Sequence, residues 1–178
     1  MPKLLTWRDD WSLNIETLDQ DHRALIDQLA EICLRFCPEA SWGRSGHAQA
    51  LIEALSDLGE AMRAHFQREE RFMRAFGYEG IGEHQCEHAM LMAEYTAMLR
   101  EWGSEGAHVF DESHQAVVRD WLLGDILGAD RAFADAYFRL CGCELSSGQF
   151  QSSYRSTTHA GSADPGHQAV SPRPRLNR

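Results

Sequence analysis

The sequence predicts an all-α protein, an antiparallel up-down-up-down four-helix bundle with an N-terminal arm and a disordered C-terminal tail. Apolar residues recur at spacings of three and four in four long segments, as they do on the buried face of a helix. Short segments rich in glycine separate these helices, so successive helices should be antiparallel neighbours. No segment of useful length alternates between apolar and polar residues in the manner of a β-strand.

The first half of the bundle begins after an arm at residues 1–17. The first helix is predicted within TLDQDHRALIDQLAEICLRFC, with a capping signal at Thr17 or Asp19. Pro and Gly in CPEASWGRSG end this helix. The second helix is predicted from about His47 to Phe76, where GYEGIG interrupts the pattern.

The second half contains the third helix, predicted from about Glu83 to Trp102, and the fourth, predicted over residues 112–141. The loop GSEGAHVFD separates them. Beyond residue 144 the composition shifts to Ser, Gly, Gln and Pro, which cannot bury enough apolar surface to offset the entropy of ordering. We therefore predict a bundle domain at residues 1–144 and a disordered polar tail at residues 145–178.

The composition restricts the class of protein. The chain has 178 residues, of which 43% are hydrophobic, and a formal net charge of −10, values that fit one globular domain. The acidic balance and the lack of a basic stripe argue against nucleic-acid binding. No apolar run reaches the roughly 20 residues of a membrane span, and no apolar signal segment is visible at the N-terminus. We expect a cytoplasmic monomer.

Ionisable residues lie on the predicted apolar faces. His65 and Glu69 are one helical turn apart, as are His84 and His88, so each pair shares one face of its helix. The complete set, drawn from all four helices, is His22, His65, Glu69, His84, His88, Asp125 and Asp130. Any one of these histidines alone would more often be a structural residue than a ligand, but the combination favours a shared site.

A metal site explains this set, because cations would neutralise carboxylates that are costly to bury unpaired and would occupy the imidazole lone pairs. Imidazole and carboxylate together suit iron, manganese or zinc rather than copper(I). The candidates are too many for one tetrahedral zinc ion. They suffice for two octahedral ions bridged by carboxylates.

Four stretches of the chain resemble the bacteriohemerythrins, the bacterial branch of the hemerythrin family. LLTWRDDWSLNIETLDQDH resembles the family's Trp-rich approach to its first ligand, and HFQREERFM resembles its H-F-x-x-E-E-x-x-M element. YEGIGEHQCEH is similar to Y-P-x-x-x-x-H-x-x-x-H, with Glu79 where proline is usual, and WLLGDILGAD is similar to W-L-x-x-H-I-x-x-x-D. The resemblance covers roughly residues 1–140.

The resemblance implies a non-haem di-iron centre, with two iron ions, that binds dioxygen reversibly. Carried over by position, Glu69 and Asp130 would bridge the ions. His84 and His88 would be terminal ligands of one iron. The terminal ligands of the other iron, which keeps an open position for dioxygen, would be His22 and His65.

One position departs from the family pattern, because Asp125 stands where the fifth histidine is expected. Asp125 could bind the second iron directly, bind it through a water molecule, or not bind, and that iron could be lost. An anionic ligand favours ferric iron and should lower the reduction potential. The apolar neighbours of the ligand positions are expected to line an oxygen pocket, although each also suits an ordinary core: Phe66, Trp121, Leu122 and Ile126.

The leading function is dioxygen binding for storage, delivery or sensing. The alternative, which Asp125 favours, is a di-iron peroxidase, oxidase or nitric-oxide-handling enzyme with peroxide or nitric oxide as partner. Iron storage of the ferritin type uses E-x-x-H on two helices, whereas here this spacing occurs only at Glu105 and His108 in a predicted loop. A purely structural bundle would have to bury its acids without compensation.

Overall fold

The computed structural model describes residues 5–38 and 47–142 of the chain. Over these ranges a short 3₁₀ turn, Asp9–Trp11, precedes five helical segments. They are α1 (Glu16–Arg35), α2 (His47–Phe76), α3 (Ile81–Glu105), α4 (Glu112–Leu127) and α5 (Ala129–Leu140). The predicted all-α bundle is confirmed, with α4 and α5 together providing the fourth helix. The predicted tail at residues 145–178 lies outside the described residues.

The predicted continuous fourth helix is wrong at one point, because Gly128 separates α4 from α5. Its backbone angles, φ −106° and ψ −94°, are not helical. A Cβ atom at this position would lie 2.6 Å from the carbonyl oxygen of Gly124, so the interruption requires glycine. The break positions Asp130 in the first turn of α5.

Two further boundary predictions need correction. Helix α3 is longer than predicted and continues to Glu105, where Gly106, with φ +69°, ends it in the left-handed conformation that favours glycine. The predicted capping of α1 by Thr17 or Asp19 is wrong, because Ile15 occupies the N-cap position. The carboxylate of Asp19 instead accepts hydrogen bonds from the backbone N–H of Leu13 and the hydroxyl of Ser12, at 2.7 and 2.6 Å.

The arm is fastened to the last helix. Arg131 donates hydrogen bonds to the carbonyl oxygens of Ser12 and Asp10, at 2.8 and 3.1 Å. Since Arg131 follows Asp130 directly, these bonds help to fix the start of α5.

The interior contains two apolar clusters. The larger one joins buried side chains of α1–α4, and the smaller one joins the arm to α2 and α5 around Leu13, Met73 and Phe133. Histidine side chains contact both, since His88 stacks on Phe66 of the larger cluster and His84 meets Phe133 of the smaller one edge-on. Among the described residues, no helix combines the length and apolar character needed to cross a membrane.

Candidate metal centre

Six of the predicted ligands meet inside the bundle and form two overlapping groups of donor atoms. The first group is His22, His65, Glu69 and Asp130, and the second is Glu69, His84, His88 and Asp130. Within each group, one donor atom per residue lies within 4.8 Å of all the others. Every member is buried. The two groups share both carboxylates, which is the arrangement expected for two ions bridged by Glu69 and Asp130.

The carboxylate of Asp130 faces both groups. Its Oδ2 atom is 3.3 Å from Nε2 of His22, whereas its Oδ1 atom is 3.4 Å from Nε2 of His84. The short helix α5 places this side chain between α1 and α3. A carboxylate with one oxygen directed to each imidazole can contact one ion through each oxygen.

Glu69 completes the second group from α2. Its Oε2 atom is 3.4 Å from Nε2 of His84, 3.3 Å from Nε2 of His88 and 3.8 Å from Nε2 of His65. In the first group, Nε2 of His65 is 3.0 Å from Nε2 of His22. Donor atoms bound to one ion at about 2.1 Å lie about 3 Å apart in octahedral geometry, so this spacing fits metal coordination.

Several buried donor atoms lack a hydrogen-bond partner among the described residues. They are Oε1 of Glu69, Nε2 of His88 and both oxygens of Asp130. Leaving a buried carboxylate oxygen unpaired is expensive. Two cations would satisfy these atoms, so the donor set fits a pair of metal ions.

Burial sets the protonation of the candidate ligands. It lowers the pKa of His65 and His84, and together with the neighbouring His84 it lowers the pKa of His88 to about 4. These imidazoles are therefore neutral near pH 7 and present lone pairs. Burial, followed by the charges of Asp130 and Asp125, raises the pKa of Glu69 well above its ordinary value. The site is thus poised for cations, whose charge would favour the ionised carboxylate.

One histidine of each group contacts a second carboxylate, outside both groups. Nδ1 of His65 is 3.3 Å from Oδ2 of Asp21, to which Arg68 also donates a hydrogen bond at 2.6 Å. The hydrogen bond with His65, and then the one with Arg68, lowers the pKa of Asp21 to about 2. An ionised Asp21 accepts the Nδ1 proton of His65, which leaves Nε2 free to face the centre.

The other outer carboxylate is Glu70, whose Oε1 atom is 3.2 Å from Nδ1 of His88. Gln85 and Arg74 donate hydrogen bonds to its Oε2 atom, at 2.7 and 3.1 Å. Neither Asp21 nor Glu70 was among the residues predicted from the sequence. Their position in the chain could have indicated them, because each directly adjoins a predicted ligand in the sequence.

Asp125 lies at the margin of the centre. Its Oδ2 atom is 4.0 Å from Nε2 of His88, and it belongs to neither donor group. The residue is only 8% exposed. Asp125 therefore lies beside the second donor group, and its role as a metal ligand stays a prediction.

The predicted pocket residues occupy different surroundings. Phe66 stacks on His88 with ring centroids 3.8 Å apart, and Leu122 and Ile126 are buried in the larger apolar cluster. Trp121 packs edge-on against Tyr95, and its buried indole nitrogen has no hydrogen-bond partner among the described residues. Among the ring contacts of the described residues, Phe66 is thus the pocket candidate that touches a predicted ligand.

Known proteins resemble this chain over most of its length. The family model described as the hemerythrin HHE cation-binding domain matches residues 13–137. A bacteriohemerythrin of Stenotrophomonas maltophilia is 30% identical over 135 residues, covering 74% of this chain and 80% of the relative. A myohemerythrin of Riftia pachyptila is 27% identical over 130 residues, covering 73% and 91%.

A solved structure supports the fold independently. The crystal structure of a hemerythrin mutant superimposes with a TM-score of 0.61 at 22% identity, covering 74% of this chain and 95% of that one. The family match spans all six residues of the two donor groups. The chain belongs to the hemerythrin family.

Proposed function

We propose that the chain holds two iron ions and binds dioxygen reversibly through them, for storage, delivery or sensing. The observation that carries the proposal is the sharing of Glu69 and Asp130 by two groups of buried donors. The similarity to a bacteriohemerythrin and a myohemerythrin supports it. Iron would supply the reversible exchange of electrons with dioxygen that protein side chains do not offer.

The proposed assignment follows the two donor groups. His22 and His65 would hold one ion, His84 and His88 would hold the other, and the two shared carboxylates would bridge them. The side chains proposed to surround the bound gas are Phe66, Trp121, Leu122 and Ile126. An apolar surround excludes water and so slows proton transfer to the bound gas.

Metal analysis combined with an absorption spectrum tests this proposal. We expect about two iron ions per chain, on the bridged two-ion model, and an absorption change that appears under oxygen and reverses under vacuum over repeated cycles. The variants Glu69→Gln and Asp130→Asn should each lose iron, whereas the exposed α2 controls Glu53→Gln and Asp57→Asn should retain it. A protein that holds iron but shows no reversible change would contradict the oxygen-binding proposal.

A second candidate function is a di-iron peroxidase, oxidase or nitric-oxide-handling enzyme. The observation that favours it is the third carboxylate, Asp125, beside His88, because added negative charge stabilises ferric iron. Turnover of hydrogen peroxide with a reporter reductant would support this candidate. The variant Asp125→His should then lose turnover and lengthen the lifetime of the oxygenated spectrum. Equal lifetimes in the two proteins would contradict a role for Asp125 at the centre.

We also propose that the chain is a cytoplasmic monomer with a bundle domain at residues 1–144, followed by a separate polar tail at residues 145–178. The change in composition at the domain boundary supports this division. Limited proteolysis should cleave within the tail first and leave the bundle intact. Light scattering on the eluting protein should give the mass of one chain, and a dimer mass would contradict the monomer.

A further inference from the structure

A groove runs along the surface between α2 and α3, beside the metal centre. Its volume of about 580 Å³ falls within the range of small-molecule sites, roughly 300–1,000 Å³. The residues that line it include His88 and Glu70, so it borders the centre at an imidazole and its carboxylate partner. His88 and Phe66 also face the metal centre, whereas the other residues that line the groove have no part in the proposed oxygen chemistry.

The chemistry of the groove changes along its length. Arg100 lies at the end remote from the centre, because it follows His88 by twelve residues of α3, or about 18 Å of helix. Arg63 lines the groove from α2, about two turns of helix before Glu70. In the middle, the largely buried Phe66 and Met92 form the floor of the groove, and the exposed Ala89 and Ala93 line it from α3. The side-chain amides of Gln67 and Gln85 also line the groove. An occupant should therefore be elongated, with an anionic end and a flat apolar body.

The arginines can accept an anion. No ion-pair partner of Arg100 is found within the described part of the chain, and Arg63 has only a long contact, 3.7 Å, to the exposed carboxylate of Glu60. The acid within the groove is already occupied, because Glu70 accepts hydrogen bonds from Gln85 and Arg74 and contacts His88. Two arginine side chains therefore line this groove, although the chain as a whole carries a formal net charge of −10.

We propose that this groove binds a phosphorylated aromatic heterocycle of the size of flavin mononucleotide. Arg63 and Arg100 would bind the phosphate, since the guanidinium group matches phosphate oxygens with paired hydrogen bonds. The ring system would pack on Phe66 and Met92. Its polar edge would meet the amide of Gln85. The bound ring then lies against the Phe66–His88 pair, so this site brings an aromatic ligand into contact with the metal centre.

Calorimetric titration of the purified full-length protein with flavin mononucleotide tests the proposal, with riboflavin as the neutral ligand of the same ring and inorganic phosphate as the anion alone. We expect flavin mononucleotide to bind at least about tenfold more tightly than either. The double variant Arg63→Gln/Arg100→Gln should abolish its advantage over riboflavin. Ala89→Leu, which fills the groove, should weaken both flavins. Arg139→Gln, at an exposed arginine on α5, should change neither.

The outcome that overturns the proposal is equal affinity for flavin mononucleotide and riboflavin, or no binding of either. Unchanged binding in the double arginine variant would overturn it equally. Iron content and circular dichroism of each variant establish that the fold and centre are intact. Because the titration needs no oxygen, a failure here is distinct from a failure of reversible oxygen binding.

Discussion

At the scale of single residues, the carboxylate of Asp130 is fully buried and its two oxygens face different imidazoles, 3.3 Å from His22 and 3.4 Å from His84. Burial would raise the pKa of Asp130, but the neighbouring imidazoles outweigh it and keep that pKa below its ordinary value. A buried carboxylate that stays anionic between two imidazoles is suited to a cation on each side.

The outer carboxylate Asp21 gives a prediction at this scale. Asp21→Asn should weaken metal binding by about 10–100-fold, because His65 loses the anionic acceptor that orients its ring. Asp27→Asn, at an exposed position of the same helix, should have no effect. Competition with a graded series of chelators measures the change. Retention of full affinity in Asp21→Asn would show that the bond to His65 does not orient the ring.

The ligand residues could be predicted from the sequence, because a one-turn spacing such as that of His84 and His88 places two side chains on one helical face. Asp21 could not be predicted in this way. It lies beside His22 in the chain but contacts His65, on another helix, and such a pairing depends on how α1 and α2 pack. The position of Asp125 relative to the donor groups depends likewise on the break between α4 and α5.

At the scale of helices, the apolar periodicity predicted each helix, since burial of one face extends along its whole length. It did not predict the interruption at Gly128, because the apolar pattern continues across it. The break arises from local backbone geometry, which hydrophobic periodicity does not report. The extension of α3 past Gly103 has a similar cause, since a glycine within a helix is tolerated when the following turn provides the left-handed end at Gly106.

The contact between α2 and α3 at Gly59 gives a prediction for this scale. A Cβ atom there would lie 2.8 Å from Cε1 of Tyr95, whose hydroxyl donates a 2.6 Å hydrogen bond to the carbonyl of Leu55. Gly59→Ala should therefore destabilise the fold by about 1–3 kcal/mol, despite the better helix propensity of alanine. Gly82→Ala, which meets nothing within 4 Å, should be neutral or stabilising by up to about 1 kcal/mol.

Urea unfolding of both glycine variants measures these differences. If Gly59→Ala were as stable as Gly82→Ala, then the ring of Tyr95 would not be fixed against α2, and the close approach of these two helices would not matter for stability.

A second helix-scale prediction concerns the start of α4. The carboxylate of Asp111 accepts hydrogen bonds from the backbone N–H groups of Ser113 and His114, both at 3.0 Å. Asp111→Ala should cost about 1 kcal/mol of stability, whereas the exposed control Asp120→Ala should cost less than about 0.5 kcal/mol. Thermal unfolding measures both. Equal losses would indicate that the cap does not hold this end of the helix.

At the scale of the whole molecule, the two apolar clusters stabilise the bundle while the polar group between them opposes it. Glu69 is fully buried and near the charges of Asp130 and Asp125. Without metal this arrangement costs stability, and with metal the binding energy offsets the cost. The stability that the two apolar clusters provide therefore allows the fold to bury an acidic metal site.

Replacing the buried acid tests this balance. In the presence of a chelator, Glu69→Met should be more stable than the parent by about 1–4 kcal/mol, because an apolar side chain of similar volume replaces an uncompensated acid. The same variant should gain nothing from added iron. Glu53→Met, at an exposed position on α2, should change stability by less than about 0.5 kcal/mol. A metal-free Glu69→Met variant less stable than the metal-free parent would contradict the cost assigned to Glu69.

The most direct measurement of the central claim is an anomalous-scattering map from crystals of the purified protein, collected at the iron absorption edge. We predict two separate peaks, one beside His22 and His65 and the other beside His84 and His88, with the carboxylates of Glu69 and Asp130 between them. A single peak, or a map without any peak in protein supplied with iron, would contradict the claim that two bridged ions occupy the interior of this bundle.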